Sequence, residues 1–182
     1  YDQRLKGIDT GVDEEAPIKL FIMGKNTWRD EYEWPLERTE WTKFYLSSAG
    51  NAVDDGGGLH PEIKTSDQTS DSFIYDPGDP VPSLGSQYQT YDFCGPHDRS
   101  HIQRRPDVLT FTTDVLTEDM EITGPISATI WASSDAKDTD FTATLTDLEP
   151  DGKAIALCEG IVRARFRNGT ENPQMMVPGE IY

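Results

Sequence analysis

A chain of 182 residues with 35% hydrophobic and 10% aromatic content is long and apolar enough to bury one sizeable core, which argues against a disordered chain. Thirty-three acidic against sixteen basic residues leave a net charge of −17, a field that repels phosphate backbones and anionic lipid and so argues against nucleic-acid or membrane partners. The acids are spread rather than blocked, as on a solvated surface, and no apolar run approaches the length of a membrane-spanning helix.

The chain opens with a polar segment that reads as the last turns of a helix, closed by Gly7 or Gly11. It has no initiating Met and no signal-peptide pattern, and with the abrupt stop at Tyr182 this points to a piece of a longer protein. Asp13, Glu14 and Glu15 lead to Pro17, so a boundary is expected near Ala16. Residues 18–23 form a short apolar run that predicts a buried strand ended by Gly24. In the aromatic and acidic stretch that follows, Pro35 disfavours any helix running through it, and the tryptophans are expected to plug a core edge. Residues 41–46 alternate and predict another strand.

Residues 47–72 read as loop around Gly56-Gly57-Gly58. A phosphate loop needs Gly-Lys-Ser/Thr opening a helix, whereas this run continues into Leu59-His60-Pro61, so a flexible turn is expected. Phe73-Ile74-Tyr75 predicts a brief strand, residues 76–82 a proline-stiffened extended segment, and residues 83–105 a polar loop. Residues 109–112 resume the strand pattern.

Residues 122–167 organise the rest. Ile126, Ala128, Ile130 and Ala132 alternate with polar neighbours, and so do Phe141, Ala143 and Leu145, the period of strands with one buried face. Glu149-Pro150-Asp151-Gly152 supplies turn chemistry, so the chain should reverse there and return as a strand from Ala154. Beyond Gly160, Val162, Ala164 and Phe166 should face one way and Arg163, Arg165 and Arg167 the other. Strands separated by turns, with scarcely any helical period after Ala16, predict an all-β sandwich, a jelly roll being the preferred topology.

Little in the chain points to chemistry of its own. The strained Gly-x-Ser-x-Gly turn that exposes a hydrolase serine to its base is absent. His60, His97 and His101 show no zinc spacing, and Cys94 and Cys158 read as buried thiols. Asp135, Asp138 and Asp140 lack the Gly and distal Glu of a calcium loop and are expected to cap turns and bind backbone amides. No metal or other cofactor is expected.

Several runs together resemble the C-terminal part of cocaine-esterase-like (CocE/NonD) hydrolases. They are Leu5-Lys6-Gly7-Ile8-Asp9, residues 18–24, Trp28-Arg29-Asp30-Glu31 with Trp34-Pro35-Leu36, Tyr75-Asp76-Pro77 with Asp79-Pro80-Val81-Pro82, and Gly95-Pro96 with Asp98. Arg105-Pro106-Asp107-Val108-Leu109, Asp138-Thr139-Asp140-Phe141 and Pro150-Asp151-Gly152 continue the match in the same order. The resemblance implies a multidomain serine hydrolase in which residues 1–15 end an α/β-hydrolase domain. Residues 16–182 would be a galactose-binding-like jelly roll short of its closing strands, as at the end of X-Pro dipeptidyl-peptidases. The triad would lie upstream of the residue matching Tyr1, and the partners would be that α/β-hydrolase domain and a small ester, amide or peptide substrate. By position within the family, residues 87–93, with Tyr88, Tyr91 and Phe93, are the candidate wall of the substrate cleft. The competing reading is a carbohydrate-binding sandwich, which would need Trp28, Trp34 and Trp41 as exposed aromatic platforms.

Overall fold

The computed structural model describes residues 1–66, 68–85 and 94–182, with Gln68 described by its backbone alone. The chain forms two compact units, residues 1–42 with 118–127, and residues 43–117 with 128–182. Strands predominate in both, and the protein is all-β, with two short α-helices among the described residues.

In the first unit, α1 (Asp2–Lys6) ends at Gly7, whose φ of 68° is the left-handed cap that glycine adopts without steric cost. Asp2 and Lys6 pair at 2.7 Å one helical turn apart, each at the end where the helix dipole favours its charge. The next elements are β1 (Ile18–Ile22) and β2 (Thr27–Glu31), an antiparallel hairpin with Phe21 opposite Trp28. Gly24 and Asn26 turn the chain at positive φ. The hairpin is not buried on both faces as the apolar run predicts. Ile18, Leu20 and Ile22 turn inward, while Phe21 and Trp28 lie exposed with ring centroids 5.4 Å apart.

Glu31 lies on the inner face at only 6% exposure, a carboxylate that burial would penalise severely if it were unpaired. It accepts from Arg29 Nε at 2.5 Å and from both terminal nitrogens of Arg38. Arg29 turns the rest of its guanidinium onto Glu121, at 2.7 and 3.0 Å, and thereby ties residues 118–127 to β2.

Among the described residues the second unit contains two sheets. In the first, β3 (Tyr45–Ala49) and β4 (Gly57–His60) pair antiparallel, and β5 (Gln68–Thr69) and β6 (Phe111–Thr112) add in parallel to the outer edges of β3 and β4. Gly57 and Gly58 of the glycine run are therefore strand, not flexible turn. Gly57 is required by close approach, since a Cβ there would fall 2.1 Å from the Thr110 carbonyl oxygen, whereas one on Gly58 would meet the movable His60 ring, 2.3 Å from Nε2. The strand expected at residues 41–46 begins only at Tyr45. Residues 73–75 form no ladder, because their backbone pairs with no neighbouring strand among the described residues.

In the second sheet, β7 (Asp140–Leu148) and β8 (Ala154–Arg163) form the predicted hairpin, with a bulge between Leu145 and Thr146. Gly152 closes the turn at φ 85°, donating its N–H to the Glu149 carbonyl at 2.9 Å. The Arg163-Arg165-Arg167 alternation fails after Arg163, where residues 164–166 wind into a 3-10 turn. Asp138 draws the chain off the strand path by accepting the Arg165 backbone N–H at 3.0 Å, and its carboxylate is ion-paired with Arg165 Nε 2.7 Å away. Residues 126–131 are not in a ladder, contrary to the strand expected there, and pairing begins at Ala132, which exchanges two backbone bonds with Tyr182. Small side chains make up much of the buried set: Ala52, Ala154, Ala156 and Ala164 with Ile102 and Met176.

Gly152→Ala should lower the stability of the folded protein by about 1 kcal/mol, because the new Cβ meets no atom and only the left-handed backbone resists it. Gly160→Ala, at ordinary φ in open space, should cost nothing; denaturant unfolding of both variants checks the contrast. The Arg29 guanidinium, helped by the Thr123 hydroxyl, holds the Glu121 carboxyl down to about 2. A depressed carboxyl stabilises the fold above its unfolded value near 4.5 and loses that contribution as pH falls toward about 2. Arg29→Met should return the Glu121 midpoint toward the ordinary range and remove this part of the acid limb, read by carboxyl NMR and thermal midpoints against pH.

Candidate functional site

Tyr88, Tyr91 and Phe93, the side chains expected to wall a substrate cleft, lie outside the described residues. The chain on either side of them is built onto β8. A Cβ on Gly85 would lie 2.9 Å from the Gly95 carbonyl oxygen and 3.3 Å from Ala156 Cβ, so Gly85 and Gly95 meet over the strand. Both have φ in the left-handed region, 83° and 89°, where glycine alone is unstrained.

Three consecutive residues fasten the outgoing side. Ala156 donates its N–H to the His97 carbonyl at 2.9 Å, and Arg99 donates its own to the Ala154 carbonyl at 2.8 Å. Between them, Asp98 Oδ1 accepts from the backbone of Ser100 at 2.9 Å and of Ala154 at 3.2 Å, and these bonds, Ser100 first, lower its pKa. Arg99, 7% exposed, donates from Nη1 to the Leu84 carbonyl and to Glu159 Oε2, each at 3.0 Å. Ser83 Oγ adds a 3.3 Å bond to the same carboxylate. Beyond Arg99, α2 (Ser100–Gln103) buries Ile102, a short helix where only loop is expected from sequence. Arg105 then pairs with Asp107 at 2.8 Å and reaches back to the Asp79 carbonyl at 2.7 Å, holding the proline-rich segment.

The other sequence candidates do not converge on a reaction centre. Asp138 is taken by Arg165, and Asp140 by the Arg163 fork at 2.8 and 2.9 Å. Among the described residues no group of three or more His, Cys, Asp and Glu side chains is placed to hold a metal. Cys158 is half-buried in β8, and Cys94 is exposed rather than buried because it sits in a surface loop. In the first unit a cavity of about 470 Å³ is lined by Glu31, Tyr32, Glu33, Leu36, Glu37 and Arg38, with no serine, cysteine or histidine and with Glu31 and Arg38 already paired.

The tryptophans do not plug a core edge. Trp28, Trp34 and Trp41 are 68%, 49% and 68% exposed. For Trp28 the reason is register: it falls on the outward face of β2, opposite Phe21. The tie through Arg99 is missed by sequence reading, since its acceptors stand 15 and 60 residues away. The available signal is the pair of glycines bracketing the segment, with Asp98 and Arg99 just after the second.

Residues 10–182 match the X-Pro dipeptidyl-peptidase C-terminal non-catalytic domain. The chain is similar to a cocaine esterase from Rhodococcus sp. (strain MB1 Bresler), 45% identical over all of this chain and 32% of that protein. It is also similar to a putative serine esterase from Mycobacterium bovis, 28% identical over 94% of the chain and 26% of the relative. Two solved structures, each 23% identical, share the fold. An aminopeptidase from a marine sediment Thaumarchaeota archaeon has a TM-score of 0.70 over 100% of this chain and 30% of its own. An α-amino acid ester hydrolase has a TM-score of 0.73 over 92% and 29%. The chain thus spans about a third or less of each of these proteins. By this match across nearly its whole length, the chain belongs to the family of X-Pro dipeptidyl-peptidase C-terminal non-catalytic domains.

Proposed function

We propose that this chain is the accessory β-domain of a CocE/NonD-type serine hydrolase, an esterase, acylase or Xaa-Pro dipeptidyl-peptidase whose triad lies in an α/β-hydrolase domain of the same protein. In this reading residues 1–15 end the hydrolase domain and residues 16–182 form a galactose-binding-like jelly roll. The observation that carries it is incomplete burial: among the described residues no large side chain is fully buried. Trp28, Trp131, Ile161 and Val162 stand exposed on a chain whose composition is that of a globular core. Such surfaces gain by being covered, at about 25 cal/mol per Å² of apolar area removed from water, and a hydrolase domain in the same polypeptide supplies the cover at high effective concentration.

The cleft-wall role of Tyr88, Tyr91 and Phe93 belongs to the same reading. Their aromatic rings offer apolar area, with polar tips on the two tyrosines, suited to an acyl or amino-acid side chain. The anchored glycines on either side support it, because a wall needs a fixed base.

A carbohydrate-binding module is the second reading, favoured by the exposure of Trp28 and Trp41. A glycan screen on the intact protein decides this point: absence of any binder that Trp28→Ala abolishes removes the second reading.

The main reading is tested by assaying the intact protein on nitrophenyl esters beside Xaa-Pro anilides. Turnover should vanish when the serine of the upstream Gly-x-Ser-x-Gly is changed. Tyr88→Ala with Tyr91→Ala should alter the ratio of kcat/KM between bulky and small acyl groups several-fold; an unchanged ratio would retire the cleft-wall role.

A further inference from the structure

We propose that Asn168 is a modification site: its side-chain amide is converted to a carboxylate by ring closure with the backbone nitrogen of Gly169, at a rate governed by two hydrogen bonds of the turn around them. The reaction consumes only water. The Gly169 nitrogen bonds to Asn168 Cγ while the Cγ–Nδ2 bond breaks, and the proton that nitrogen gives up leaves with the amide as ammonia. Water then opens the cyclic imide. Attack at Cγ gives aspartate, and attack at the Asn168 backbone carbonyl gives isoaspartate, with the main chain rerouted through the side chain.

The residue that follows an asparagine decides whether the ring can close, and the chain's asparagines are Asn26, Asn51, Asn168 and Asn172. Asn172 precedes Pro173, which has no backbone N–H to give up. Asn26 precedes Thr27, whose branched Cβ crowds the nitrogen. Asn51 precedes Ala52, which is buried and donates its N–H to Asp71 Oδ1 at 2.8 Å. Gly169 carries no Cβ, it and Asn168 are both exposed, and the place where a Cβ would stand has no atom within 4 Å.

Two bonds stand against the closure. Gly169 donates its N–H to the Phe166 carbonyl at 2.9 Å, and Asn168 Nδ2 donates to Gln174 Oε1 at 3.0 Å. Gln174 is itself anchored, its N–H on the Arg165 carbonyl at 2.8 Å and its carbonyl under Arg167 Nη1 at 2.5 Å. The amide and the nitrogen are thus held by separate partners until both bonds open, which in an exposed turn is a local event and not global unfolding. The product adds a negative charge to a chain already at −17, next in sequence to Arg167, whose guanidinium lies 4.2 Å from the centre of the Tyr182 ring. Isoaspartate also inserts a methylene into the main chain of the turn that the Phe166–Gly169 bond closes.

The experiment ages the intact protein at mildly alkaline pH and follows each asparagine by peptide mass spectrometry, with anion exchange to separate the more acidic form. Asn168 should convert to a mixture of aspartate and isoaspartate while Asn26, Asn51 and Asn172 stay intact. Unfolded in urea, the chain should convert at Asn168 about 10-fold faster, because both turn bonds are then gone. Gln174→Ala should raise the folded rate about 3-fold, the worth of one exposed hydrogen bond, and leave the rate in urea unchanged. Gln174→Glu keeps an acceptor and should hold the parent rate. Asn168→Gln, whose ring would be one atom larger, should stop the reaction, and Gly169→Ala should slow it several-fold in the folded protein and in urea alike. An intact Asn168 in the folded protein after the urea sample has converted overturns the site. Conversion at Asn26 or Asn51 as fast as at Asn168 overturns it too, and a Gln174→Ala rate equal to the parent's overturns the control assigned to the turn.

Discussion

The β7–β8 ladder is the rail to which the flanking segments of the second unit, residues 97–99 before it and 164–165 after it, are fastened. Residues 97–99 hydrogen-bond along the start of β8, and the Asp138 and Asp140 carboxylates hold arginines at and beyond its end. Backbone bonds of this kind contribute modestly one by one, but they cannot be withdrawn singly, since each buried donor left unpaired costs about 1–3 kcal/mol. The ladder sets the path of the neighbouring loops by obliging their polar backbone to find partners on it.

The second constraint is electrostatic. In a chain with twice as many acids as bases, the arginines are spent as internal ties: Arg29 and Arg38 on Glu31, Arg29 on Glu121, Arg99 on Glu159, Arg105 on Asp79 and Asp107, Arg163 on Asp140, Arg165 on Asp138. Several of these carboxylates are buried or half-buried, where breaking a pair leaves an uncompensated charge far costlier than a lost surface bridge. The guanidinium fork suits this use because it serves two or three acceptors from one fixed geometry.

Legibility followed locality. The β7–β8 hairpin could be read because period-two alternation and a Pro-Asp-Gly turn lie within one window, and β1 because its apolar run has strand length. Gly57 could not, since the Thr110 carbonyl that requires a bare backbone there is more than fifty residues away. Alternation at residues 126–131 was misleading for the same kind of reason: a period says which face a residue favours but supplies no partner strand. Hydrophobicity alone points the tryptophans to a core edge, whereas register with Phe21 decides the face of Trp28. The Arg99 tie depends on a backbone carbonyl, which carries no residue signature at all.

The first unit is discontinuous in sequence, residues 1–42 being completed by residues 118–127, with Arg29 and Glu121 separated by 92 positions. During vectorial synthesis the hairpin therefore emerges long before its ion partner, and everything between them must be made and folded first or held aside. The polypeptide consequently has no clean midpoint at which it could be divided between two genes. Any cut between residues 42 and 118 separates the two pieces of that unit and hands the cost of rejoining them to intermolecular association.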